Sequence, residues 1–262
     1  MELAGYLAMM MMGVMLSLLG GGGSVLTVPV LVYLFKLPAD RATSYSLFLV
    51  GLTAAIGAVQ YIRLKQVNFR VGFIFSIPAF AGVFIVRRYG VPNIPAHIDL
   101  PLISLSKDQF IMAVFALLML FASLAMIRKS PLPKDSSGTK TYHFPLIFVE
   151  GLVVGGLTGL VGAGGGFMMI PTLVLLAKLP MKTAVGTSLL IIAAKSLPGF
   201  LIEPDILGAD WPLLGLLSLC TVAGILLGGM VSKKINSEQL KPAFGYLVLL
   251  MGGIILIQQS FS

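Results

Sequence analysis

Residues 162–171 read GAGGGFMMIP, and residues 20–29 read GGGGSVLTVP. Each string crowds glycines ahead of a short run that closes on a proline. Glycine at that density disfavours a helix, because it loses the most backbone freedom on ordering. Both strings nevertheless lie inside long hydrophobic stretches. Pro29 and Pro171 stand 142 positions apart, more than half of the 262-residue chain.

That offset aligns more than the two strings. Gly13, Gly20, Gly22 and Gly23 fall on Gly155, Gly162, Gly164 and Gly165, and Lys36-Leu37-Pro38 falls on Lys178-Leu179-Pro180. Ala42, Ser46, Leu47 and Gly57 likewise match Ala184, Ser188, Leu189 and Gly199. Hydrophobic composition alone does not align glycine, proline and lysine together, so the chain is an internal repeat. The stretch RKSPLPKDSSGTKTYH, rich in Pro, Ser and Lys, reads as an exposed linker. The expected organisation is a first transmembrane repeat over 1–127, a cytoplasmic linker over 128–143 and a second transmembrane repeat over 144–262.

Composition sets the solvent. Hydrophobic residues make up 57% and charged residues only 11%, where soluble domains carry about 25% charged. Apolar runs near 3–19, 24–36, 42–62, 70–88 and 109–127 are followed by others near 144–161, 166–178, 183–202, 212–232 and 240–258. At about 20 residues per span, this predicts an all-α, polytopic integral membrane protein seated in a lipid bilayer. The formal charge of +8 sits in short loops rather than on a basic face with stacking aromatics, which excludes nucleic acid as a partner. Cys220 is the single cysteine, and His97 and His143 fall in polar connections. No metal site and no cofactor are expected. The spans hold no His/Asp/Glu cluster and no nucleophile–base pair, so no catalytic residue is expected and an enzyme is set aside. The N-terminus opens Met-Glu-Leu with no basic n-region, and it reads as a retained first helix rather than a cleaved signal.

Segment length explains the glycines. A helix over 24–36 runs about 20 Å, short of a hydrocarbon core of about 30 Å, and the same holds for 166–178. Each pairs with the run before it as two half-helices meeting at a glycine break near the midplane. Broken backbone at that depth survives only buried in protein or facing a water-filled cavity. Each pair then enters and leaves on one side, so each half has an odd number of spans and the two repeats have inverted topology. On this reading one face collects twelve basic residues: Arg63, Lys65, Arg70, Arg128, Lys129, Lys134, Lys140, Lys178, Lys182, Lys233, Lys234 and Lys241. The other collects five, Lys36, Arg41, Arg87, Arg88 and Lys107, with the acids Glu203, Asp205 and Asp210. Counting each pair as one span gives a weaker division, about ten to seven. Counting every short segment as a full span keeps the same parity, so charge does not separate that case from the half-helix one. The positive-inside bias places the linker in the cytoplasm and both termini outside it.

Inverted repeats with helices broken in matching places point to a transport site at the midplane. Missing Cβ atoms at Gly20, Gly21, Gly22 and Gly23, and at Gly164, Gly165 and Gly166, let a ligand approach the backbone. Helices starting at Ser24 and Gly166 would present N–H groups and a positive dipole end to an anion. Close helix packing is the competing reading of these glycines. No Gly-Lys-Ser/Thr follows either string, so a nucleotide-cradling loop is excluded. The repeat mates Ser46 and Ser188, with Thr187 beside the second, offer hydroxyl donors, or else bond back to the preceding turn. Lys195 is the lysine well inside a predicted span; it suits an anion path, unless it snorkels to the interface. Glu150 reads as a group near the membrane surface rather than a proton carrier. GLVVG (151–155) and GILLG (224–228) are small-xxx-small patterns that suit helix contact within the protomer or in a homodimer.

The string GLTGLVGAGGGFMMIPTLVLLAKLPMKTAVGTSL (156–189) resembles the signature of the TauE/SafE family of sulfite exporters. The resemblance extends over nearly the whole chain. It implies a multi-pass transporter of the bacterial inner membrane, with both termini periplasmic, that exports a small inorganic or organosulfur anion, sulfite or bisulfite first. Sulfoacetate or thiosulfate, imported or exported with protons, is the alternative it leaves open. A non-transporting accessory subunit is a third reading, separated by whether the glycine breaks enclose a cavity. The first half departs from the family pattern, with Ser24 standing where the second half has Gly166.

Overall fold

A computed structural model describes residues 2–95, 97–100, 103–127, 144–161, 169–170, 173–174, 177, 179–203, 206–231, 245–246 and 248–256. Seven long helices stand among them: α1 (Glu2–Leu19), α2 (Ala39–Arg63), α3 (Phe69–Ile85), α4 (Lys107–Ile127), α5 (Phe144–Val161), α6 (Met181–Leu201) and α7 (Trp211–Val231). Five helical runs, 3–34, 39–63, 69–93, 181–201 and 211–231, are long and apolar enough to cross a membrane. The outward faces stay apolar, with Phe73, Ile77, Phe121, Leu219 and Met230 all exposed. That is the pattern of side chains meeting lipid rather than water. The protein is an all-α, polytopic membrane protein.

The run 3–34 does not cross as one rod. Gly20 has φ +57, a left-handed backbone that other residues adopt only at a cost. There α1 ends and a tighter three-ten helix, Gly20–Leu26, begins. A Cβ on Gly23 would overlap the backbone of Leu16. In a continuing helix those two residues would lie about 10 Å apart. The return leg continues through an α-turn, Thr27–Pro29, and a π-turn, Val30–Leu34, and Phe35 comes back onto Tyr6 with ring centroids 5.4 Å apart. The chain therefore doubles back to the face from which it started. The return leg begins at Gly20 rather than at Ser24, because the left-handed residue makes the reversal before the serine is reached.

Residue pairs across the packed helices give their directions. Val14 meets Gly228 and Met10 meets Gly224, so α1 and α7 run parallel; Gly57 meets Ile225 and Gln60 meets Gly229, so α2 runs with them. Leu47 approaches Gly199 while Tyr61 approaches Gly186, so α6 runs opposite to α2. Gly72–Leu190 and Val83–Gly199 set α3 parallel to α6, and Pro78–Gly151 with Val83–Gly159 sets α5 parallel to α3. Thus α1, α2 and α7 point one way, and α3, α5 and α6 the other. The close approaches also decide what the small-xxx-small patterns do. Gly151 and Gly155 admit Pro78 and Ala79 of α3, while Gly224 and Gly228 admit Met10 and Val14 of α1. Both patterns are used inside the protomer.

Local geometry follows the 142-residue offset. Leu37 N donates to Leu31 O at 3.1 Å and Leu179 N to Leu173 O at 3.0 Å; Ala42 N to Pro38 O and Ala184 N to Pro180 O are both 2.8 Å. Pro38 and Pro180 pre-set the extended residue ahead of each helix, with ψ 146 and 145. Asn68 caps α3 by accepting from Val71 N at 3.1 Å, the ordinary role of asparagine at a helix start. A two-stranded antiparallel hairpin, β1 (His97–Leu100) with β2 (Ile103–Ser106), joins α3 to α4.

Candidate functional site

The glycine turn of the first half is pressed against α6 of the second. Gly20 through Ser24 are all buried. Gly21 N donates to Ser188 Oγ at 3.4 Å, and Ser188 Oγ donates to Val185 O at 2.8 Å. The serine thus bonds back to its own helix and also holds the glycine turn. A Cβ on Gly20 would lie 2.5 Å from Ser188 Oγ and 3.2 Å from both Val185 Cα and Ile170 Cδ1. Only glycine admits so close a seam. Ser24 Oγ donates to Gly21 O at 2.7 Å, tightening the turn from within.

Two turns further along α6 lies Lys195, which is fully buried. Its Nζ donates to Thr158 Oγ1 of α5 at 2.7 Å, and among the described residues no carboxylate pairs with it. The lysine therefore does not snorkel out of the protein. Thr158 stands three residues before the end of α5 at Val161, where the second glycine string begins. Seven positions keep Ser188 and Lys195 on one face of the helix, about 10 Å apart along its axis. Ile191 lies between them at the middle of α6. The Gly20–Ser24 turn sits about a third of the way along α6, nearer the end where Met181 begins.

The other residues singled out by sequence fall differently. Thr187 Oγ1 accepts from Asn68 N at 2.9 Å, so it ties the α2–α3 connection to α6 and does not join the glycine turn. Ser46 is buried with no hydrogen-bond partner for its hydroxyl among the described residues. It lies level with the Leu47–Gly199 contact, about 16 Å along the bundle from Ser188 at 1.5 Å per residue. Gly164, Gly165 and Gly166 lie outside the described residues. Glu150 is half-buried on α5, and its Oε2 has no partner among the described residues.

One residue read from sequence as a loop charge is part of the interior. Arg87 sits in a π-turn, Val86–Gly90, that extends α3, and it is 2% exposed beside Glu203 at 3.0 Å. Sequence placed both on the same face, but nothing in it brings them together across 116 positions. Among the described residues no group of three His, Cys, Asp or Glu side chains is arranged to hold a metal.

Known proteins resemble the chain over almost its full length. The family model described as "Sulfite exporter TauE/SafE" matches residues 5–255. A Bacillus subtilis protein named probable membrane transporter protein YunE is 26% identical, covering 94% of this chain and 94% of its own. A Xylella fastidiosa probable membrane transporter protein is 24% identical over 96% of this chain and 93% of its own. A relative in Methanocaldococcus jannaschii, also called a probable membrane transporter protein, is 24% identical over 94% and 91%. No solved structure matches.

Proposed function

The chain belongs to the sulfite exporter TauE/SafE family of membrane transporters, and from that premise we propose that it carries sulfite or bisulfite out of the cytoplasm. The path runs along α6 between the Gly20–Ser24 turn and Lys195, with Ser188 holding the turn in place. One observation carries this reading: a glycine-rich turn meets a serine of the other half, on the same helix face as a buried lysine that no carboxylate answers among the described residues. An oxyanion supplies the missing negative charge, and backbone N–H groups with a lysine are the donors it needs.

The two halves act as inverted repeats around this path. Support comes from the directions of the helices, since α1 and α2 share one direction and α5 and α6 share the opposite one. By the 142-residue offset Ser46 is the repeat mate of Ser188, and Gly162, Gly164 and Gly165 are those of Gly20, Gly22 and Gly23. Export needs no nucleotide. A negative interior drives each anionic charge outward by about 2.3 kcal/mol per 100 mV.

Purified protein in liposomes tests the reading. Vesicles are loaded in turn with sulfite, thiosulfate, sulfate and chloride, and efflux is followed with the interior held negative. Saturable sulfite efflux that speeds up with the potential is the expected result. Rates no greater than in empty vesicles, or chloride moving as fast as sulfite, would overturn it.

A further inference from the structure

Where α2 begins and α3 and α6 end, a cleft of about 450 Å³ opens on the face away from the α2–α3 connection. Three cations, Arg41, Arg87 and Lys107, line it with two acids, Asp40 and Glu203. Arg87 holds the two halves together there. Its Nη1 lies 3.0 Å from Glu203 Oε1 and donates to Ser44 Oγ at 3.2 Å. Its Nε and Nη2 are buried and have no hydrogen-bond partner among the described residues. Buried donors are nearly always satisfied, and leaving a charged group's donors unmade is costly. These two nitrogens form one edge of the planar guanidinium, the edge that grips two oxygens of an oxyanion at once.

Among the described residues neither acid of the cleft hydrogen-bonds to that edge: Glu203 Oε1 lies beside Nη1, and Asp40 Oδ1 accepts from the Arg41 backbone amide at 2.6 Å. Among the described residues three cations face two carboxylates, so the lining carries net positive charge for an anion.

We propose that this cleft binds a small oxyanion such as sulfite, sulfate, phosphate or a sulfonate, with Arg87 as its two-pronged anchor. Arg41 and Lys107 draw the anion in from the rim. Phe200 of the cleft wall lies about 18 Å along α6 from Ser188, so the cleft is a separate station from the glycine turn. On the transport reading it is the outer landing or release point, but binding here does not depend on transport.

Calorimetry on the purified full chain in detergent, at constant ionic strength, tests it with sulfite, sulfate, phosphate and methanesulfonate as probes. Trp211, the chain's one tryptophan, packs 6.1 Å from Phe200 of the cleft wall and gives a fluorescence check. Saturable binding is expected in the native protein. Arg87→Lys keeps the charge but loses the fork, and should weaken binding about tenfold, the equivalent of one lost charged contact. Arg41→Gln and Lys107→Gln leave the buried pair intact and should each weaken it roughly threefold to tenfold; these decide the matter if Arg87→Lys does not fold. Arg63→Gln, which removes an exposed cation at the opposite end of the bundle, should bind as the native protein does. Absence of saturable binding, full affinity in both rim variants, or an equal loss of affinity in Arg63→Gln would each overturn the assignment. Binding without flux would sink only the transport reading, and flux without binding only this one.

Discussion

Lys195 is the residue on which the transport reading presses hardest. A lysine inside a span, fully buried and, among the described residues, bonded to a neutral hydroxyl, is an expensive side chain for a fold to keep. Replacing a buried charge that no opposite charge answers by an apolar side chain of similar volume removes its desolvation cost. Lys195→Met should therefore unfold at the same or a higher temperature while sulfite efflux falls more than about tenfold, on the order of one charged contact. Lys195→Arg should retain part of the flux. A Lys195→Met protein that is unstable yet transports normally would make the lysine purely structural. Sequence made Lys195 legible because a lone charge in an apolar run stands out. It did not make Arg87 legible, because Arg87 and Arg88 together look like an interfacial pair at the end of a span. Burial of Arg87 depends on Glu203 arriving from the other half, which no local pattern encodes.

At the scale of elements, the glycine turn is a reversal rather than a gap between two helices. The left-handed Gly20 and the overlap a side chain would meet at Ser188 separate two costs that a double mutant can measure. Gly20→Ala should lose about 1–2 kcal/mol from backbone strain alone, with a further loss from the collision with Ser188 Oγ. Ser188→Ala removes that oxygen, so Gly20→Ala with Ser188→Ala should be destabilised by less than the two single changes together. Simple additivity in thermal unfolding would mean that the two halves do not meet here. The presence of a break was readable from glycine density and segment length. Its start at Gly20 was not, because three-ten winding and a positive φ leave no mark in a run of four glycines. The hairpin at His97–Ser106 was missed for a different reason. Four-residue strands either side of Pro101 and Leu102 are too short to show an alternating pattern.

For the whole molecule, repetition was the most legible property. Glycines, prolines and the Lys-Leu-Pro triplets align at one offset, and the same offset recurs in the hydrogen bonds of Leu37 with Leu179 and Ala42 with Ala184. Identical local bonds in both halves are what a duplicated element produces when its residues keep their identities. Orientation in the membrane is a separate matter, carried by charge rather than by packing. The connection after α2, with Arg63 and Lys65, lies at one end of the bundle, and the segment after α3, with Asn93, lies at the other. From the positive-inside rule we propose that the first end and the linker face the cytoplasm. Cys220 is half-buried, so it is first replaced by serine to give a silent background. Single cysteines at Leu64, Ser137 and Asn93 are then offered a membrane-impermeant maleimide on intact cells. Asn93→Cys should label at once, whereas Leu64→Cys and Ser137→Cys should label only after the membrane is opened. The reverse pattern would turn the molecule over and move the Arg87 cleft to the cytoplasmic side. Labelling of Leu64→Cys and Asn93→Cys from the same side would contradict the antiparallel course of α2 and α3, since one crossing separates those two positions.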